Sequence, residues 1–468
     1  MPACALLDPY CLVGWDTRAG AWEREPSDTS PFQGEASAPA ATMKRNMGHA
    51  PAAARPSSRI AGIEGLRALA AGAIVLLHGF AILAGAGLFS TAFLLQFAGA
   101  PLIDGVTLFF VLSGFLLWRP FASAIALGRT LPSLRRYARN RFLRIFPAYW
   151  AILVVSALVL HSARLVPLSA HPLVGALHDP GLLLKDALLV QELSPTTLSS
   201  GIEPAWSLSV EVTFYLLLPL LGLLAAWIAT RGATRRSRLA AGLAPVALLA
   251  LVALVGKLVA TFVVPGPEGV LADTWHSVLD RSFLTHADLF AVGMLVAVLR
   301  VEHEHGRFEL TPRMRMIANC ALVYSVPIAF ACFYSLPNYV GEPMTALLFA
   351  LLVTRIVTSP AGERPWAFVR FLERRPLVAA GTISYSAFLW SFPATAFLAQ
   401  QGLALRGQAL WHVPVNEAIV CSVIAGLSAI TYLAVERPAI HLRRPRRRLP
   451  AAAGVGILTA EPASITTP

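Results

Sequence analysis

Two ionisable residues stand out because of where they sit. Arg67 and His78 fall in one apolar run, IEGLRALAAGAIVLLHG, eleven positions apart. At about 100° per residue, eleven steps come to roughly 1100°, within about 20° of three full turns, so both side chains share one helix face. At a rise of about 1.5 Å per residue they lie roughly 16.5 Å apart along the axis. The arginine then stands near one bilayer surface and the imidazole past the midplane. An ionisable group at the centre of a span costs at least about 2.5 kcal/mol on insertion scales, so a buried pair is a functional candidate. An imidazole that titrates near neutrality suits a general base that takes a proton from a hydroxyl. The bland alternative is a packed histidine satisfied by a neighbouring carbonyl.

A partner for that histidine is expected in EPAWSLSVEVTFYLLLPLL, where Glu211 follows Pro204 by seven residues. Seven residues are about 10 Å of helix. His78 lies about 12 Å from the far edge of a core near 30 Å thick, so the depths agree and Glu211 is expected to orient the ring. Asp288 is a second candidate carboxylate, set against the reading that it is a helix-end residue near water. In RRYARNRFLRIFPAYW, Arg141 and Arg144 occupy neighbouring helical positions and together could grip one polyanion, since guanidinium forks suit phosphates. Arginines there also fit a simple anchor on lipid headgroups. Ser113 beside Gly114, and Ser384 beside Tyr385, offer close helix contact and hydroxyls to an interior. Ser113, Tyr385 and Asp288 are therefore the candidate substrate contacts.

The elements that must position these groups follow from composition. The chain has 468 residues, of which 14% are charged and 56% hydrophobic, with 38 Lys+Arg against 26 Asp+Glu and a net charge of +12. A mean hydropathy of +0.63 places most of it in lipid and excludes a soluble enzyme. Nucleic acid is not an expected partner, because the basic residues are parcelled between apolar segments instead of gathered on one face. Ten segments are long enough to cross a bilayer: about 66–84, 101–118, 145–163, 206–229, 239–264, 283–299, 316–336, 343–359, 377–400 and 413–435. Residues 182–190 are too short and read as interfacial or re-entrant. Thirty of the 38 Lys+Arg fall in alternate connections and only four in the others, which puts both termini in the cytoplasm. The expected fold class is all-α, a polytopic membrane bundle of about ten helices.

Residues 1–58 read as a disordered tail, with Met43 or Met47 as a possible start, 59–440 as the membrane domain, and 441–468 as a basic, then disordered, tail. Lys257 and Arg355 are expected to snorkel from helix ends. The five cysteines have no CxxC pair or metal spacing, so no metal is expected, and Cys320 and Cys332, too far apart on one helix for a disulfide, read as small core residues.

The chain resembles acyltransferase family 3, the integral-membrane acyltransferases that modify exported or surface molecules such as glycans. The resemblance runs from about Ile60 to Ile440. It rests on GLRALAAGAIVLLH, FFVLSGFLL, RNRFLRIFPAYW, PAWSLSVEVTFYLLLP, ISYSAFLW and the closing VERP, taken in order. It implies a ten-helix enzyme of a bacterial inner membrane. Such an enzyme passes an acyl group, commonly acetyl, from cytoplasmic acyl-CoA to an acceptor hydroxyl outside. The resemblance also makes Arg67 and His78 the essential pair and assigns Arg141 and Arg144 to the donor end. Acyl-CoA is a co-substrate in this picture, with no tightly bound cofactor, and the expected partners are a carbohydrate or other hydroxyl acceptor and the bilayer. Two departures stand out: Ser391 follows Leu389 and Trp390 where the family usually has histidine, and Thr107 stands where an aspartate is common. A transporter or flippase of a glycan or lipid-linked intermediate remains the alternative, as do several acceptor classes.

Overall fold

A computed structural model describes residues 60–85, 92–167, 173–232, 234–266, 271–324, 337–358, 365–405 and 411–443. The expected N-terminal tail and nearly all of the tail after 441 lie outside the described residues. In a hydrocarbon layer each backbone polar group must be satisfied within its own segment, so apolar stretches of this length become helices. Nine helices among the described residues are long and apolar enough to span a membrane, and the protein is a multi-pass all-α membrane protein. The seventh predicted span, 316–336, begins in a described helix, and its remainder lies outside the described residues.

In chain order the helices are α1 (Ile63–Gly85), α2 (Ala92–Leu127) and α3 (Leu134–Val154), the last continued by a π turn, Val155–Val159. A short hairpin, β1 (Ala163–Arg164) with β2 (Val174–Gly175), leads to α4 (Pro180–Ala187). Then come α5 (Ala205–Thr230), α6 (Arg235–Phe262), α7 (Trp275–Asp280), α8 (Phe283–Glu304) and α9 (Pro312–Val323). The chain continues with α10 (Asn338–Val357), α11 (Ala367–Leu372), α12 (Arg375–Gln400) and α13 (His412–Thr431), which runs through a π turn, Tyr432–Glu436, into α14 (Arg437–His441). The segment read at 182–190 as too short to span falls largely in α4, eight residues capped by Asp179 through the Gly181 amide at 2.7 Å.

Close helix pairs set the site. α1 packs along α12, and α2 along α8. Both pairs approach backbone to backbone, which requires small residues at the crossing. A Cβ on Gly381 would collide with the Glu64 carbonyl, and one on Gly65 with the Leu372 carbonyl. Gly114 stands against the Phe290 carbonyl, so the expected close contact at Ser113–Gly114 is present. Gly381→Ala is therefore expected to lower the melting temperature in detergent, as overpacking typically costs about 1–3 kcal/mol. Gly72→Ala, on the same α1 with open space around it, should leave the melting temperature unchanged or raise it slightly.

Three expectations are corrected. Lys257 does not snorkel: it is buried on α6, and its Nζ lies 2.5 Å from Asp288 on α8, because a partnered ammonium can stay inside the bundle. Arg355 likewise turns inward, its Nε donating to Asn319 Oδ1 at 3.3 Å and its guanidinium lying over Trp366. Cys320 is exposed on α9 and so is not a core residue, while Cys332 lies outside the described residues.

Candidate active site

The two ends of α1 serve two different environments. At the Arg67 end a cavity of about 360 Å³ is lined by Arg67 from α1, Arg141 and Arg144 from α3, and Arg443 beyond α14. The one carboxylate in the lining is Glu211. It is already engaged, with Oε1 accepting from Ser113 Oγ at 2.5 Å and from the Tyr215 hydroxyl. Arg141 lies over the Tyr215 ring at 5.7 Å. The guanidiniums are under-satisfied: Arg141 Nε and Arg443 Nε and Nη2 are buried without hydrogen-bond partners. Burial pushes the Arg443 pKa down to about 10, the charges of Arg144 and Arg141 adding to the effect and Glu436 opposing it. A crowd of cations with unused donors has the chemistry to receive a polyanion. Ser113 and Tyr385 both line this cavity, and the Tyr385 hydroxyl donates to the Ile145 carbonyl at 2.8 Å.

At the other end His78 is held from both sides. Its Nδ1 lies 2.9 Å from Ser391 Oγ on α12, and its Nε2 lies 3.1 Å from Glu203 Oε2. Arg281 closes the chain, donating from Nη2 to Glu203 Oε1 at 2.9 Å and from Nη1 to Ser199 Oγ at 2.5 Å. Burial opposes the charge on Glu203. Arg281, the His78 hydrogen bond and Arg164 outweigh it and hold the carboxyl well below the usual range. That carboxylate has no proton to give, so the hydrogen in the 3.1 Å contact belongs to Nε2. In the neutral ring the Nδ1 lone pair is then left facing Ser391.

The loop that delivers Glu203 is built from backbone geometry. Arg164 and Gly201 exchange backbone hydrogen bonds at 2.8 and 3.0 Å, tying the loop to the hairpin. Gly201 has φ 73°, and a Cβ there would fall 2.6 Å from Asp186 Oδ2, so both torsion and space demand glycine. Two acids support this cap. Burial pushes Asp186 up to about 7, with the Ser200 hydroxyl opposing at 3.2 Å; burial also raises Glu192 to about 7, with Arg281 opposing. A carboxyl whose pKa is raised by folding stabilises fully below its ordinary value near 4, and that stability is lost as pH climbs to 7. Asp186→Asn is accordingly expected to reduce the fall in melting temperature between pH 5 and 8, measured in detergent.

The expected pairing of Glu211 with His78 is corrected: Glu203 orients the ring, and Glu211 belongs to the arginine cavity. Counting helix residues from Pro204 does not give the depth of Glu211, because α5 starts beneath a buried cap in which Ser199, Ser200, Ile202 and Ala205 have no exposure. Asp288 is also reassigned, since it pairs with Lys257 and lies outside the cavity lining. Sequence reading missed Glu203, Arg281 and Arg443. Glu203 was visible as the acid preceding Pro204 in the EPAW motif, but Arg281 carried no signal beyond being an outer-loop arginine. The hydroxyl of Ser391 does take the place expected of the usual histidine in making a polar contact.

His78 lies beyond the cavity lining. The lining includes Phe109, Phe110 and Phe388, and the Phe109 and Phe388 rings meet edge to face at 5.8 Å. Ser391 follows Phe388 by three residues on α12, about one helical turn. The arrangement is thus a guanidinium-lined cavity, an aromatic pair in its wall, and one helical turn along α12 a histidine held between Ser391 and Glu203.

A family profile described as an acyltransferase domain matches residues 60–434. Acyltransferase MdmB of Streptomyces mycarofaciens is 33% identical over 118 residues, which cover 25% of this chain and 27% of that protein. Exopolysaccharide production protein ExoZ of Rhizobium meliloti (strain 1021) is 26% identical over 350 residues, covering 73% of this chain and 91% of its own. YrhL of Bacillus subtilis (strain 168), whose name marks it provisionally as a peptidoglycan O-acetyltransferase, is 24% identical over 389 residues, 81% of this chain and 54% of its own. The chain thus spans about a quarter of MdmB and about half of YrhL. No solved structure matches. With most of its length inside the family profile, the chain belongs to acyltransferase family 3.

Proposed function

We propose that the protein is a membrane O-acyltransferase that takes an acyl group, acetyl in the simplest case, from acyl-CoA at the cytoplasmic side. It delivers that group to a hydroxyl on the far side of a bacterial inner membrane. The observation that carries the reading is the division of α1 between a guanidinium-lined cavity at Arg67 and an oriented imidazole at His78. Arg141, Arg144 and Arg443 bind the coenzyme phosphates, with Arg67 on the same wall. The thioester arm runs toward the partition formed by Phe109 and Phe388, and His78 supplies the base at Nδ1. The basic segments flanking the arginine end support its cytoplasmic placement. A carbohydrate acceptor is supported by relatives named for exopolysaccharide production and peptidoglycan acetylation.

Membranes carrying the protein, incubated with acetyl-CoA labelled in the acetyl group, are expected to yield a labelled acceptor that mild alkali releases as acetate. A carrier of glycans or lipid-linked intermediates would leave no covalent label, and that result would reject the reading.

A further inference from the structure

Three groups at the far end of α1 form a relay whose order has a chemical meaning. Glu203 fixes Nε2–H at 3.1 Å, the imidazole follows, and the Ser391 hydroxyl stands 2.9 Å from Nδ1. An acid, an imidazole and a hydroxyl in hydrogen-bond succession are what activate a serine nucleophile on unrelated folds, recognised by geometry and role. Ser391 Oγ also lies 2.6 Å from the Phe388 carbonyl oxygen. The two contacts match the two states of the ring. Facing a neutral ring, the hydroxyl donates to Nδ1; facing an imidazolium, it accepts from Nδ1–H and turns its own proton to Phe388.

Resting on the acyl-CoA reading above, we propose that Ser391 is a catalytic nucleophile that carries the acyl group as an ester between donor and acceptor. In the first half, Oγ attacks the thioester carbonyl while His78 Nδ1 takes its proton. The C–S bond breaks, and the imidazolium proton passes to the leaving thiolate, giving acyl-Ser391 and free CoA thiol. In the second half, an acceptor hydroxyl loses its proton to Nδ1 and attacks the ester carbonyl. The C–Oγ bond breaks, and the proton returns to Ser391. Position supports the role, since Phe388, one turn away, lines the arginine chamber, whereas Glu203 and Arg281 come from the opposite cap. Ser391 has no exposure to solvent, which keeps water from the ester. Arg164 offers a donor for the developing oxyanion: its Nε is buried without a partner, and its guanidinium lies 6.0 Å from the Phe392 ring centroid.

The test is covalent capture. Detergent-purified full-length protein is given acetyl-labelled acetyl-CoA without acceptor, quenched in acid, digested and mapped by mass spectrometry. The wild type should carry one hydroxylamine-labile acetyl on the peptide containing Ser391. Ser391→Ala should carry none while keeping a wild-type melting temperature. Ser391→Cys should regain the label as a thioester, which a merely structural hydroxyl would not predict. Label elsewhere, or label persisting in Ser391→Ala, overturns the proposal. Labelled acceptor formed by membranes whose enzyme never carries label overturns the serine and leaves the transferase standing. Absence of both protein label and labelled acceptor overturns the transferase reading, and the serine role with it.

Discussion

Glu203→Gln is expected to lower the rate of acyl transfer by roughly 10³- to 10⁴-fold, the loss seen when a triad acid is made neutral and the ring adopts the wrong tautomer. The geometry fixes why. Glu203 Oε2 accepts a hydrogen bond from His78 Nε2–H at 3.1 Å, and Arg281 holds its other oxygen at 2.9 Å, so the carboxylate is both oriented and charged. The neutral amide withdraws the charge that favours an imidazolium on the path. It can also turn its NH₂ toward Nε2, which moves the ring proton to Nδ1 and removes the base. His78→Ala should lose at least as much, with the protein still in the membrane. Glu211→Gln should respond differently: its partners are Ser113 and Tyr215, so a defect there should appear in the binding of acyl-CoA, with the pH profile of turnover unmoved. Initial rates against donor concentration, repeated across pH, separate the three variants. A Glu203→Gln enzyme within threefold of wild type would remove the residue from the mechanism.

That contrast also marks what the sequence could disclose. Helical periodicity is a local property, so the eleven-residue interval between Arg67 and His78 sufficed to place them on one face at two depths. Arg141 and Arg144 followed from the same reasoning, and all three arginines meet in one chamber with Ser113 and Tyr385. Depth across different helices is not local. Hydropathy reports where an apolar run starts but not how far a loop folds back over it. The buried residues just before α5, Ser199, Ser200 and Ile202, cover its start, so the acid opposite His78 is Glu203 and not the one eight residues on. The Lys257–Asp288 pair was hidden for a related reason: each residue alone reads as a helix-end charge, and only the packing of α6 on α8 turns them into partners. Arg443 lay in a basic run that reads equally well as an anchor.

The double variant Arg141→Ala/Arg144→Ala carries the second large effect. A hydrogen bond to a charged group contributes about 1.5–3 kcal/mol, so loss of two such contacts to phosphate should weaken acyl-CoA binding by roughly 10²- to 10⁴-fold. KM for acyl-CoA should rise accordingly, while turnover at saturation changes far less, because neither His78 nor Ser391 is in the lining of the arginine cavity. Lysine should restore only part of the loss, since an ammonium cannot make the paired contacts of a guanidinium. The chamber makes a further demand. Arg443 is already pressed down to about 10 by burial and by its two arginine neighbours, so an anion entering the chamber relieves repulsion and CoA should stabilise the wild-type protein. At a hundredfold excess over Kd that gain is about 2.7 kcal/mol, readable as a rise in melting temperature. Arg443→Ala should lessen the rise without touching the His78 end. If the double variant bound CoA as tightly as the wild type, the chamber would have to be reassigned to the lipid headgroups that arginines at a membrane surface also attract.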